Sequence, residues 1–219
     1  MTYFKTLASA LILSTLSLPA FAGETPGAVV ELFTSQGCSS CPPANTFVGG
    51  LTEDADKLVL TYGVTYWDYL GWKDTFGDTR FTDRQREYGQ AFGIGNVYTP
   101  QIILNGSAHS PRYKASDVNT MPLQAVGNVD INVKDGQLIV TGATDQSVLV
   151  TYLPGWQSVD VSKGENHGRT LRLANVVTDV KPLSADVPLD VSAKDGVAYA
   201  VLVHDPKTKK ITNAAVYTP

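Results

Sequence analysis

The chain has 219 residues, of which 43% are hydrophobic and 17% are charged, and its formal net charge is −4 at pH 7. This composition supports a buried core and excludes an intrinsically disordered chain. The isoelectric point near 5.3 and the lack of a basic cluster argue against nucleic-acid binding.

Residues 1–22 have the pattern of a secretory signal peptide. Lys5 precedes an apolar run from Leu7 to Leu18, and Ala20-Phe21-Ala22 forms a small-x-small exit. The alternative is a membrane anchor, but the run is shorter than the roughly 20 residues that a bilayer span requires. We therefore expect cleavage before Gly23, a periplasmic or secreted protein, and no membrane span after signal peptide removal.

The first half of the remaining chain alternates strand-like and helix-like segments. Apolar branched runs predict strands, and capping patterns with an apolar stripe predict helices. The predicted elements are a strand at 28–34, a helix at 42–51, a strand at 57–67, a helix at 82–93 that begins at Thr82, a hairpin turning at Asn105-Gly106, and a helix at about 115–125. This order favours a mixed sheet with helices on its faces.

From Val129 onward, apolar and polar residues alternate, which is typical of strands with one buried face. A first hairpin is predicted around Asp135-Gly136. Further strand-like runs lie at 147–153, 169–178, 186–192, 197–204 and 210–216, with turn signals at Pro154-Gly155, Lys163-Gly164, Asp195-Gly196 and Asp205-Pro206. Short strands at this spacing predict a β-sandwich.

Both cysteines lie in TSQGCSSCPPAN, residues 34–45, with two residues between them. In an exported protein they can form a lasting disulfide, but a bridge across so short a loop stabilises by only roughly 2 kcal/mol. A Cys-x-x-Cys between a buried strand and a helix matches the thioredoxin-like redox motif instead. The opening of the helix would then favour a thiolate on Cys38, the predicted nucleophile, and Cys41 would be the resolving thiol.

Two further residues are candidates for catalysis. Pro100 follows Thr99 directly before the strand QIILNG. Thioredoxin-like proteins have a cis proline at this place that faces the cysteines, and the likeness implies the same here, with the backbone of Thr99 receiving a substrate peptide. The alternative is a trans proline that opens a strand. Glu31 lies within an apolar strand seven residues before Cys38, where a buried acid could shuttle protons. Its alternative is an edge or surface position.

Aromatic residues in YWDYLGWKD could line a substrate groove beside Cys38, with Trp67 and Asp68 as the best candidates. For most of these rings, packing in the core or between domains is the preferred explanation. The segment GENHGRTLRLANVV carries four polar residues, which we interpret as a solvated hairpin turn: Glu165, Asn166, His167 and Arg169. An interdomain contact through Arg169 is the alternative.

The three histidines, His109, His167 and His204, are not spaced as metal ligands, so we predict no metal centre and no organic cofactor. A reduced thiol pair alone could still hold Cu(I), a soft ion, with help from His109.

Several separated segments together resemble a secreted bacterial family, that of domain of unknown function 1223. They are VVELFTSQGCSSCPPA, YWDYLGWKD, RQREYGQ, VYTPQIILNG and GENHGRTLRLANVV. The resemblance implies a thioredoxin-like domain followed by a β-rich domain, and it implies no particular substrate.

The sequence thus predicts an α/β thioredoxin-like domain at 26–124 followed by an all-β sandwich domain at 128–219. The predicted function is an exported thioredoxin-like thiol–disulfide oxidoreductase that acts on the thiols or disulfides of exported proteins. Two alternatives remain: a copper-binding chaperone that uses the same thiols, and a non-catalytic thioredoxin-like binding module.

Overall fold

The structure, a computed structural model, describes residues 23–184 and 192–218. The predicted signal peptide, and all but the last residue of the strand predicted at 186–192, lie outside the described residues. The strands are β1 (Ala28–Thr34), β2 (Lys57–Gly63), β3 (Gln101–Leu104), β4 (Ala108–Ser110), β5 (Asp130–Lys134), β6 (Gln137–Thr141), β7 (Ser147–Asp160), β8 (Thr170–Pro182), β9 (Ala198–His204) and β10 (Ile211–Tyr217). The helices are α1 (Pro42–Leu51), α2 (Thr79–Ala91) and α3 (Ala115–Asn119), with a 3-10 turn at Asp68–Leu70.

Eight strands form one mixed sheet in the order β10-β9-β7-β8-β2-β1-β3-β4. β1 runs parallel to β2 and antiparallel to β3. β2 also pairs in parallel with β8, where Thr61 lies opposite Val176. β5 and β6 form a separate two-stranded sheet. Among the helices that the structure describes, none is long and apolar enough to cross a membrane.

The predicted fold class, a thioredoxin-like α/β domain followed by a β-sandwich, is wrong. The structure is mostly β, and one continuous sheet contains strands from both halves of the chain. The physical reason is the free edge of β2, whose backbone groups need partners. β8 pairs with that edge, so strands that were expected to form a separate sandwich domain extend the first sheet instead.

Side chains reinforce this junction at a bulge in the β7–β8 hairpin. The Nδ2 group of Asn175 donates to the carbonyl of Val59 at 3.1 Å, and its Oδ1 accepts from the backbone N–H of Gly155 at 2.9 Å. Asn175 and Gly155 both have positive φ angles, 49° and 75°. The turn predicted at Pro154-Gly155 is therefore a bulge inside one long strand, and a bulge bends a hairpin.

Glu31 lies on the face of β1 that packs toward α2, where its carboxylate is fully buried. It accepts hydrogen bonds from Arg84 Nε at 2.8 Å and from the Tyr88 hydroxyl. Arg84 also donates to His204 Nε2 at 3.1 Å, and burial lowers the pKa of His204 to about 3. The four side chains form a hydrogen-bonded polar cluster within the core.

We expect Glu31→Gln to lower the free energy of unfolding by about 3–5 kcal/mol, because it leaves the Arg84 charge buried without its carboxylate. Urea denaturation measures this loss. Arg86→Gln is the matched control, since it breaks an exposed pair with Asp83 on the same helix and should change stability by no more than about 0.5 kcal/mol. Equal losses in both variants would contradict a structural role for the buried pair.

Candidate active site

The two cysteines form a disulfide in the turn between β1 and α1, with their Cα atoms 5.5 Å apart. Cys41 is the N-cap of α1, and its backbone N–H donates to the carbonyl of Cys38 at 3.2 Å. Pro42 and Pro43 occupy the first two helical positions, where they remove two of the free N–H groups of the helix opening. The helix dipole therefore acts most directly at Cys41, and Cys38 lies one turn before the helix.

Ser40 is the polar side chain that contacts the sulfur of Cys38, since its Oγ lies 3.3 Å from Cys38 Sγ. Ser40 itself is exposed, whereas both cysteines have 0% of their surface accessible. A hydroxyl beside a sulfur can donate a hydrogen bond to a thiolate once the disulfide is reduced. The site thus offers local stabilisation of a Cys38 thiolate that does not depend on the helix.

The Thr99–Pro100 peptide bond is cis, as predicted. We call residues 35–41, between β1 and α1, the cysteine turn. Pro100 lines a cavity of about 440 Å³ that Ser40 also lines, so the proline and the cysteine turn share one concave surface. The cavity is mainly apolar and aromatic, with one cation; its walls are Ser40, Pro43, Ala44, Phe47, Thr99, Pro100, Ile102, Pro111, Arg112 and Tyr113.

Trp67 connects the cysteine turn with Thr99, the residue before the cis proline. Its indole Nε1 donates to Thr99 Oγ1 at 2.7 Å, and its Cβ lies against Gly37, directly before the cysteine. Neither Trp67 nor Asp68 is a wall of the cavity, and Asp68 Oδ1 accepts from the backbone N–H of Asp74 at 3.1 Å. Of the two residues proposed to contact substrate in this segment, Trp67 is therefore placed beside the cysteine turn, and Asp68 stabilises the adjacent loop.

Glu31 is not brought to the cysteines. Neighbouring residues Val30 and Leu32 pack in the cluster that contains α1, whereas Glu31 points to the other face and is bonded to Arg84 and Tyr88. The carboxylate is thus held by two buried partners on the face of the sheet opposite α1. We therefore do not retain Glu31 as a proton shuttle.

Asp74 is the buried acid that the sequence analysis missed. Its Oδ2 accepts from the backbone N–H of Gln36 at 2.8 Å, and its Oδ1 accepts from that of Phe76 at 2.9 Å. Burial raises the pKa of Asp74 to about 6, and the negative charge of Asp68 adds to the increase. Asp74 lies within YWDYLGWKD, but no spacing in that segment distinguishes it from a surface aspartate.

The tip of the β7–β8 hairpin, residues 163–168, covers the cysteine turn; we call it the hairpin tip. Asn166 is fully buried, and its Nδ2 donates to the carbonyls of Gln36 at 3.0 Å and Cys38 at 2.9 Å. Glu165 Oε2 accepts from the backbone N–H of Ser39 at 3.0 Å. The interpretation of this segment as a solvated turn is therefore wrong for Asn166.

The structure gives no support to copper binding. Within the described residues, no three His, Cys, Asp or Glu side chains are grouped so that they could hold a metal ion. His109, the candidate third ligand, is bonded through Nδ1 to the Tyr98 hydroxyl at 2.8 Å and packs on Phe92.

The raised pKa of Asp74 makes the stability of the protein depend on pH. Its pKa rises from 3.8 when unfolded to about 6 when folded, so ionisation weakens the folded state progressively as pH rises from about 4 to 6. Asp74→Asn lacks this penalty. The stability of the variant relative to wild type should therefore increase over that pH window, by up to about 3 kcal/mol, in urea denaturation at several pH values. A difference that is the same at pH 4 and pH 7 would contradict the shifted pKa.

Comparison with known proteins gives one family and two similar structures. The family described as Protein of unknown function (DUF1223) matches residues 29–217. A crystal structure of a protein from Agrobacterium tumefaciens has 30% sequence identity and a TM-score of 0.67, and the match covers 88% of this chain and 94% of that one.

The structure of HBP35 of Porphyromonas gingivalis has 13% identity and a TM-score of 0.53, with 88% of this chain and 75% of that chain covered, so it indicates a shared fold alone. No curated protein matches this chain. Since the family match spans nearly all of the described residues, the chain belongs to the DUF1223 family of proteins of unknown function.

Proposed function

We propose that the protein is an exported thiol–disulfide oxidoreductase in which Cys38 and Cys41 cycle between disulfide and dithiol. The observation that carries the proposal is the position of Ser40, which contacts Cys38 Sγ and also lines the cavity that contains Pro100. Ser40 thus connects the Cys38 sulfur with a cavity of about 440 Å³, a volume that supports binding of a peptide side chain. The weak stabilisation expected from so short a disulfide loop argues against a purely structural bridge.

The proposed exchange proceeds in two displacements. The Cys38 thiolate attacks one sulfur of a substrate disulfide, a bond forms between them, and the other substrate sulfur leaves as a thiolate and takes up a proton. The Cys41 thiolate then attacks Cys38 Sγ, which restores the Cys38–Cys41 disulfide and releases the first substrate sulfur as a thiolate, which is also protonated. Two electrons and two protons pass from the protein to the substrate, and the reverse sequence oxidises a substrate dithiol.

The surrounding residues have roles that follow from their contacts. Thr99 and Pro100 form one wall of the cavity, and Trp67 holds Thr99 in place through its indole N–H. An apolar side chain of a substrate would fill the cavity, next to the mixed disulfide on Cys38. We propose that the substrates are exported proteins, because the amino-terminal segment has the pattern of a signal peptide.

Single cysteine variants test this proposal. Wild-type protein should accelerate the reduction of insulin by dithiothreitol or the refolding of a scrambled disulfide protein, and both Cys38→Ser and Cys41→Ser should lose turnover. Cys41→Ser should still form a stable mixed disulfide with a small aromatic disulfide, whereas Cys38→Ser should react much more slowly. If wild type accelerates neither reaction beyond the Cys38→Ser background, the proposal fails.

Ser40→Ala should raise the pKa of the Cys38 thiol in the reduced protein. The lost hydrogen bond stabilises the thiolate by about 0.5–1.5 kcal/mol, so the expected increase is roughly half a pKa unit to one unit. The ultraviolet absorbance of the thiolate as a function of pH measures it. Ser39→Ala is the matched control, because the contact of Ser39 in this turn is with Glu165 and not with sulfur. Identical titrations of Ser40→Ala and wild type would remove Ser40 from the mechanism.

A further inference from the structure

The burial of the disulfide requires an explanation, because thiol–disulfide exchange needs a nucleophile to reach a sulfur atom. Neither cysteine has accessible surface, although Ser39 and Ser40 between them are exposed. The described conformation is therefore closed to a substrate. Some neighbouring part of the molecule has to move before Cys38 can react.

The hairpin tip is a neighbouring part that is bonded to the cysteine turn through polar groups. Apart from buried Asn166 and half-buried Gly164, its residues are exposed. Its backbone is held by its own turn bonds, in which His167 N–H donates to the carbonyl of Gly164 at 3.1 Å and Gly168 N–H donates to that of Val161 at 2.8 Å. A segment with its own internal bonds and little buried apolar surface can move as a unit.

Three hydrogen bonds join the hairpin tip to the cysteine turn. Asn166 supplies two of them, to the carbonyls of Gln36 and Cys38, and Glu165 accepts the third from Ser39. Arg169 Nη1 donates to Asn166 Oδ1 at 3.0 Å and so orients the amide. The carbonyl of Cys38 belongs to the reactive residue itself, so release of Asn166 would remove a hydrogen bond from the residue that carries the sulfur.

We propose that the hairpin tip is a displaceable cover of the disulfide, and that Asn166 is the positioning residue that keeps this cover closed. The cover restricts exchange to reagents or partners that displace the hairpin tip from the cysteine turn. Its purpose rests on the proposed oxidoreductase function, but its existence can be tested without any protein substrate.

The test is the rate at which a water-soluble phosphine reduces the disulfide of the folded, full-length protein. Asn166→Ala and Asn166→Asp both remove the two donated hydrogen bonds, and each should accelerate reduction by roughly tenfold or more. Asn213→Ala is the matched control. Asn213 is also buried and donates through Nδ2 to two backbone carbonyls, those of Val126 at 3.2 Å and Gly127 at 2.7 Å, but it lies on the edge strand β10.

The disulfide of Asn213→Ala should be reduced at the wild-type rate, even if the substitution lowers the free energy of unfolding. Rates in both Asn166 variants equal to that of wild type would overturn the proposal. Equal acceleration in the Asn213 variant would also overturn it, because the disulfide would then be reached through general unfolding.

Amide hydrogen exchange on the wild-type protein gives an answer that depends on no variant. The N–H groups of Ser39 and of residues 167–168 should exchange together, and faster than those of the central strands β1 and β2. Protection equal to that of the strands would show that the hairpin tip does not open separately. A displaceable cover combined with no insulin reduction would refute the proposed function and leave this inference standing.

Discussion

The pairing of β8 with β2 is the interaction on which the candidate site depends. It places β8, from the second half of the chain, beside β2, the first strand after the cysteines. Asn175 of β8 donates a hydrogen bond to the carbonyl of Val59 in β2 and so joins the two strands. At the same position the hairpin bends at a bulge. Without this junction, no residue of the second half of the chain would be positioned to cover the disulfide.

The distal part of the β7–β8 hairpin then packs across α1 to the cysteine turn. Trp156 lies against Gly49 of α1 so closely that a methyl group at Gly49 would overlap its ring. Further along, Asn166 bonds to the carbonyls that flank Gly37. Contacts between the two halves of the sequence thus hold together α1, the cysteine turn and the hairpin tip.

This arrangement changes what the disulfide can do. A disulfide at the opening of a helix is expected to be accessible on one side, yet here both cysteines are buried, and a distant segment forms polar contacts with the turn that carries them. Such contacts are individually weak, since each hydrogen bond contributes about 0.5–1.5 kcal/mol net. A cover built from a few of them can open without unfolding the sheet, which makes burial compatible with reactivity.

Local features of the fold were predictable from the sequence, because local patterns determine them. The strand at 28–34 and the helix at 42–51 match the prediction, and the Asn105-Gly106 turn has the positive φ angles that those residues tolerate. The second helix begins after Asp78 rather than at Thr82, since the Asp78 side chain accepts from Arg80 N–H. Thr82 caps nothing and bonds instead to Thr65.

Long-range pairing was not predictable in the same way. The alternating pattern of the second half is equally compatible with a separate sandwich and with the extension of an existing sheet, and nothing in the segment around Val176 identifies β2 as its partner. The same limit applies to the site. Cys38, Cys41 and Pro100 were identified by spacing, whereas Asp74 and Asn166 are functional candidates only through contacts with residues distant in sequence.

The reduction potential of the Cys38–Cys41 pair tests the central claim most directly, because it measures whether the disulfide is poised for exchange or locked as a structural bridge. Equilibration with glutathione buffers, read by mass spectrometry after thiol trapping, provides the value. A redox centre should lie within the range of known oxidoreductases, about −120 to −270 mV. A potential below about −300 mV, typical of structural disulfides, would contradict the account.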